Sequence, residues 1–220
     1  MRYLASGEEL FLKFPEIGAE ERGKLLEYAD LLVGMNSRVN LVSRKDEGNI
    51  AYRHVIFCLA ISKFFTPAAG ARIVDVGTGG GLPGIVMAII WPQAKIFMYD
   101  GVGRKVEAVA EMVKALGLKN AVARKARVEE TKEVFDYAVG RAVIALPKFL
   151  EFVQRNLRVG RAGNLANGVI YFKGGDYEEE LVKRGIFPTK EMKLDEFFGD
   201  ASYEGKRLVH IGYPFTKGVR

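Results

Sequence analysis

The residue types and spacing that carry most chemistry lie in Asp75-Val76-Gly77-Thr78-Gly79-Gly80-Gly81-Leu82-Pro83-Gly84. The run follows Ile73-Val74, so an acid stands at the tip of a short apolar strand. Glycines in a strand-to-helix turn permit positive φ and let a ligand approach the backbone closely. Pro83 suits the first turn of the next helix, where its missing N–H is no loss. Open α/β sheets bind ligands outside the carboxyl ends of their strands, which is where this turn falls.

Two ligands compete for it. Gly79, Gly81 and Gly84 fit G-x-G-x-x-G, with Asp100 16 residues further on, as in a dinucleotide site of an NAD(P)-dependent oxidoreductase. Asp75, Gly77 and Gly79 instead fit D-x-G-x-G. An acid so placed repels a pyrophosphate but suits a cationic ligand without phosphate, such as S-adenosylmethionine. In either case Asp100, ending the second strand, can accept hydrogen bonds from ribose hydroxyls. The plain alternative is a turn that serves tight packing only.

Other residues fall at the same sheet edge. Arg124-Lys125-Ala126-Arg127 follows the third strand and reads either as a solvated face or as a phosphate contact. Glu129 is a candidate for the adenine side of the donor pocket. Arg141 ends the fourth strand, where an arginine can clamp a phosphate or merely cap carbonyls. Lys173 ends the fifth strand. His54 lies on an apolar helix, as structural filler or as part of the site. His210, in a terminal strand, reads as structural, and Cys58, in an apolar run, reads as core.

These residues need elements to hold them. Leu25, Leu26, Ala29, Leu32, Val33 and Asn36 recur at helical steps within Ala19–Asn36, an amphipathic helix whose apolar stripe is core. A second helix is predicted from Asp46, as cap, to Phe65. From Arg72 onward strands alternate with helices. The predicted strands are Ile73–Val76, Ala94–Tyr99, Ala121–Ala123, Phe135–Val139, Val169–Phe172, Lys190–Leu194 and Arg207–Tyr213. The predicted helices are Pro83–Ile90, Gly103–Leu116, Pro147–Asn156 and Tyr177–Arg184. That alternation predicts an α/β fold with a parallel sheet and helices on both faces. The expected division is a helical extension over 1–66 and a Rossmann-like domain over 67–220.

Composition narrows the class. The 220 residues carry 33 basic and 27 acidic side chains, a net +6 that permits a nucleic-acid partner without requiring one. One cysteine and two histidines leave no disulfide framework and no Cys-rich or multi-His metal centre. With no signal-peptide pattern and only short apolar runs, the chain reads as a reduced, soluble, cytoplasmic protein off the membrane.

Taken together, the motifs resemble the bacterial 16S rRNA (guanine-N7)-methyltransferases, once called glucose-inhibited division protein B. The resemblance rests on Asn40-Leu41-Val42-Ser43, Arg53-His54-Val55-Ile56, the Asp75–Gly84 loop with its Leu82-Pro83-Gly84 ending, and Asp100 with Gly103-Arg104-Lys105. It continues through Ala126-Arg127-Val128-Glu129-Glu130, Phe135-Asp136, Gly140-Arg141-Ala142, Phe172-Lys173-Gly174 and Arg207-Leu208-Val209-His210-Ile211. The departures are Phe57-Cys58 for the family's usual Asp-Ser, Met35 for Trp, Gly101 for Ser, a swapped Arg104-Lys105, and a longer Arg158–Gly168 segment.

The resemblance implies a class I S-adenosylmethionine-dependent methyltransferase fold, with a mostly parallel seven-stranded sheet, that methylates guanine N7 in 16S rRNA of the small ribosomal subunit. It implies donor binding by Asp75, Gly77, Thr78, Gly79, Gly81, Leu82, Pro83, Asp100, Arg127, Val128, Glu129 and Arg141. RNA binding falls to His54, Arg104, Arg127, Arg141 and Lys173, and catalysis to Arg141, Lys173 and His54. Guanine N7 is an in-plane lone pair that needs no deprotonation, so in-line positioning can carry the reaction. The chain has Gly140-Arg141-Ala142 where amine methyltransferases carry an N/D-P-P-Y/F-like motif. A non-catalytic RNA-binding or assembly protein on the same fold is the rival reading. The chain is expected to act as a monomer.

Overall fold

A computed structural model describes residues 11–41, 50–175 and 177–215. Among them, seven strands form one sheet: β1 (Arg72–Val76), β2 (Lys95–Asp100), β3 (Ala121–Lys125), β4 (Tyr137–Arg141), β5 (Gly168–Gly174), β6 (Lys190–Lys193) and β7 (Lys206–Gly212). Their order is β3-β2-β1-β4-β5-β7-β6. The strands from β3 to β5 run parallel, while β7 is antiparallel to both β5 and β6. The order reverses between β1 and β4, which is the switch point of such sheets.

β1 is buried along most of its length, so its run is apolar on both sides. Ile73 faces one core; Val74 and Val76 face the other. The first core is covered by α1 (Ala19–Asn36), α2 (Ile50–Leu59), α3 (Ile61–Phe64), α4 (Gly84–Ile90) and α5 (Gly103–Ala115). The second is covered by α6 (Leu146–Val153) and α7 (Glu178–Val182). α5 turns Val106, Val109 and Met112 inward, and Gly117 at φ +64° ends it with the left-handed residue that closes helices.

The structure differs from the sequence reading at definite places. On α1 the buried stripe is Leu25, Tyr28, Ala29 and Leu32, whereas Val33 is 59% exposed. Tyr28 completes the i, i+3, i+4, i+7 row, and Val33 lies a hundred-degree step off it. The second helix breaks at Ala60 into α2 and α3; the cap at Asp46, like Val42 and Ser43, lies outside the described residues. β3 extends to Lys125, so Arg124 and Lys125 belong to an edge strand. Arg141 is the last residue of β4, and Phe135 makes only an isolated bridge to Leu157. A short helix α8 (Leu194–Phe198) follows β6, where the sequence shows only one turn's worth of apolar residues.

The longer segment 158–168 is anchored inside. Asp136, 1% exposed, accepts from the Arg72 amide at 2.8 Å, from Arg158 at 2.6 and 3.0 Å, and from Asn167 at 3.1 Å. No helix among the described residues is long and apolar enough to cross a membrane.

Candidate functional site

The glycine loop leaves β1 and is tied on every side. The Gly77 and Thr78 amides both donate to the Tyr99 carbonyl, at 2.8 and 3.0 Å. Gly77, Gly79 and Gly81 take φ of +69°, +57° and +90°, which only glycine adopts freely. A Cβ at Gly77 would meet Val143 at 3.0 Å, and one at Gly80 would meet Leu32 at 2.8 Å. The loop is thus clasped between α1 and the segment after β4. The Tyr28 hydroxyl donates to the Gly80 carbonyl at 2.8 Å.

Asp75 is 1% exposed. Its Oδ2 accepts from the Thr78 hydroxyl at 2.6 Å and from the Gly84 amide at 2.9 Å. Burial pushes its carboxyl up to about 6, although those two donors and the Arg141 charge act against the rise. Its Oδ1 is buried with no hydrogen-bond partner. A buried carboxylate oxygen without a donor, at the tip of β1, is what a cationic ligand group would satisfy. Asp100 stands at the end of β2, with Oδ2 accepting from the Gly79 amide at 3.0 Å and Oδ1 from the Val102 amide at 2.9 Å. The set fits S-adenosylmethionine: an acid for positive charge, a bare-backbone loop, and a second acid at the end of the neighbouring strand.

The remaining donor-side candidates divide. Leu82, Pro83 and Thr78 are buried within the loop. Val128 is fully buried in the second core, so its backbone alone can face a ligand. Glu129 is exposed beside it. Arg127 is exposed, 4.0 Å from Glu130, and Arg104 is exposed at the start of α5. Neither joins the cavity described next.

Next to the loop lies a cavity of about 380 Å³, the size of small-ligand sites. It brings together His54 from α2, Arg141 from β4 and Lys173 from β5. Arg53 and Lys206, which the sequence reading missed, also line it, and no acidic side chain among the described residues does. Phe57, Phe172 and Tyr203 form its apolar wall. Arg141 lies 3.1 Å from His54 Nδ1. A guanidinium can only donate, so Nδ1 accepts and the imidazole carries its proton on Nε2. Arg141 Nε is buried without a hydrogen-bond partner.

The backbone around Arg141 is braced. Ala142 has φ +53°, rare for a residue with a Cβ. The Tyr171 hydroxyl donates to the Ile144 carbonyl at 2.6 Å and accepts from the Ile144 amide at 3.2 Å. Such strain persists only where the surroundings enforce it. Cys58 is fully buried and its thiol is pushed up to about 12 by desolvation, so it packs rather than reacts. His210 is 1% exposed; its Nε2 donates to the Ala166 carbonyl at 2.9 Å.

Arg53, His54 and Phe57 share one helix face at i, i+1 and i+4, a signal present in the sequence. Tyr203 and Lys206 are brought in by the pairing of β5 with β7, where Gly174 stands opposite Lys206.

Comparison with known proteins shows the family and the fold. A family model described as rRNA small subunit methyltransferase G matches residues 21–204. Ribosomal RNA small subunit methyltransferase G of Bacteroides fragilis YCH46 is 36% identical over 207 residues, covering 94% of this chain and 92% of that protein. Its counterpart from Bacteroides thetaiotaomicron is 37% identical, covering 92% and 98%. Among solved structures, a geranyl diphosphate methyltransferase in complex with GPP and sinefungin superposes with a TM-score of 0.55 at 11% identity, over 89% of this chain and 99% of that one. A ribosomal protein L11 methylase from Lactobacillus delbrueckii gives 0.52 at 16% identity, over 73% and 79%. At such identities these two speak for the fold alone.

Proposed function

The chain belongs to the rRNA small subunit methyltransferase G family, and from that premise we propose that it transfers a methyl group to N7 of a guanine in 16S rRNA. It is an S-adenosylmethionine-dependent rRNA methyltransferase. The oxidoreductase reading of the glycine loop falls with the family assignment, and the buried Asp75 carboxylate opposes a pyrophosphate there. The single observation that carries the N7 reading is the position of Arg141. It joins the two halves of the site, within electrostatic reach of Asp75 and held by His54 in a cationic cavity.

Asp75, Asp100 and the backbone of Gly77 to Gly81 would hold the donor, which supplies an electrophilic methyl group on a sulfonium. The chain's own residues then place the acceptor. Arg141 donates to guanine O6 and fixes the base in its plane, leaving N7 uncovered. His54, neutral at Nδ1, keeps the guanidinium aimed. Lys173 and Arg53 take RNA phosphate at the cavity mouth. The N7 lone pair is free, so no residue need remove a proton before transfer; the methyl would pass to N7 as its bond to the sulfonium breaks and S-adenosylhomocysteine leaves, and the chain's contribution rests on alignment. Arg104 and Arg127 extend the phosphate-binding surface, and Val128 and Glu129 border the adenine side. The partner is the small subunit and its 16S rRNA; the protein works as a cytoplasmic monomer, with residues 1–66 as an extension to the domain 67–220.

The test is incubation of the protein and labelled donor with small ribosomal subunits lacking the modification, followed by nucleoside separation by mass. Label in 7-methylguanosine is expected. Label in another nucleoside overturns the acceptor assignment, and subunit binding without turnover supports the assembly-protein alternative instead.

A further inference from the structure

Phe57 lines the acceptor cavity. Its ring lies 5.8 Å from that of Tyr203 at an interplanar angle of 11°, an offset stack, and 5.3 Å from Phe172. Tyr203 is set by a short turn, Ala201–Tyr203, whose Ser202 amide donates to Asp200 at 2.8 Å. Behind it Phe198 packs at 4.6 Å, and Phe198 reaches Phe14 in the core. A chain of rings therefore runs from the interior and ends partly buried at the cavity.

Over the last rings lies the long side chain of Lys206. Lys206 Nζ sits 5.1 Å from the Tyr203 centroid and 5.8 Å from that of Phe57, held by the Ser202 carbonyl at 3.0 Å. A lysine on a flexible stem can swing from the rings toward a phosphate, and that movement would free their π faces beside the cavity for a base.

We infer that Phe57 and Tyr203 form a stacking platform for a nucleobase of the RNA substrate, and that Lys206 contacts the phosphate of the same nucleotide. The inference rests on the reading of this cavity as the acceptor site. Aromatic stacking holds any base by its π face, so the platform contributes binding and placement, while Arg141 supplies discrimination.

The test uses Phe57→Leu, Tyr203→Leu, Lys206→Gln and Phe57→Trp in the full chain. Each leucine is expected to weaken binding of unmodified small subunits at least about fivefold, the lower bound for one lost base stack. Affinity for S-adenosylhomocysteine should stay within twofold. Phe57→Trp should restore subunit affinity, and its added fluorescence over the single native Trp91 should be quenched by subunits in the presence of S-adenosylhomocysteine. Lys206→Gln should lower the salt slope of subunit binding by about 0.7 to 0.9.

Unchanged subunit affinity in both leucine variants, or tryptophan fluorescence that subunits leave unquenched, overturns the platform. Equal losses of subunit and donor binding in both leucine variants would make the rings mere core packing and overturn it too. These measurements read binding, so they stand whichever nucleoside is labelled; a wrong nucleoside sinks the N7 reading without touching the quenching result.

Discussion

The Tyr28 hydroxyl donates to the Gly80 carbonyl at 2.8 Å, across 52 residues of sequence. One bond thereby fastens the first helix to the loop on which donor binding depends. Leu32 and Leu41 press on the same glycine, which has no room for a Cβ. Tyr28→Phe keeps the ring but strips a buried carbonyl of its donor. We expect a loss of about 1–3 kcal/mol in thermal unfolding. Calorimetric titration should show weaker S-adenosylhomocysteine binding as well, because the loop loses its brace. Unaltered donor affinity would mean that the helix supports the fold and not the loop.

Arg141 and Lys173 divide from the donor loop by function. Arg141→Ala removes the group that orients the base, and a misplaced acceptor lowers turnover on the order of a hundredfold. Lys173→Ala should chiefly raise KM for subunits. Donor affinity is expected to stay nearly intact in both, measured with S-adenosylhomocysteine. A fall in donor affinity that matches the fall in turnover would place Arg141 in the donor site instead.

Asp75 should impose a pH dependence on donor binding. Its carboxyl is pushed up to about 6 by burial, and a cationic ligand favours the ionised form. Donor affinity is therefore steady above pH 6 and weakens as pH falls below it, by up to tenfold per unit. The stability effect has the opposite sense. A raised folded value gives a contribution present below the unfolded 3.8 and lost as pH rises through 6. Asp75→Asn should thus bind donor weakly with no pH dependence, while its empty form gains up to about 3 kcal/mol near neutral pH. Denaturant unfolding at pH 8 checks the second point, and a destabilised variant there would contradict it.

The glycine loop, Arg141 and Lys173 are legible in the sequence because each sits where a strand's apolar run ends, and short-range pattern fixes strand ends. The parallel sheet is legible for the same reason. Tyr28 escapes that reading: a tyrosine among leucines passes for a half-buried surface residue, and its partner lies 52 positions away. Tyr203 and Lys206 escape it because their approach to His54 depends on the antiparallel return of β7 along β5. The strand at Lys190–Lys193 and the helix after it are too short for periodicity to separate.

His210 contributes a loss of stability in acid. Burial lowers its imidazole from 6.5 to about 4, with the Ala166 carbonyl and Thr189 hydroxyl as its partners. A depressed folded value gives a contribution that is complete above the unfolded 6.5 and lost as pH falls toward 4. The shift corresponds to about 3 kcal/mol. Between pH 6 and 4 Asp75 works in the opposite direction, since its protonation relieves a buried charge. The native chain should therefore change little in stability across that window. His210→Gln removes one of the two opposing terms and leaves Asp75 alone. Its stability, though lower at pH 8 for want of ideal partners, should rise relative to the native chain as pH drops from 6.5 to 4. Urea unfolding of both proteins at pH 8, 6 and 4.5 measures that difference. A constant gap across the three would show that His210 takes up its proton inside the fold as readily as outside it.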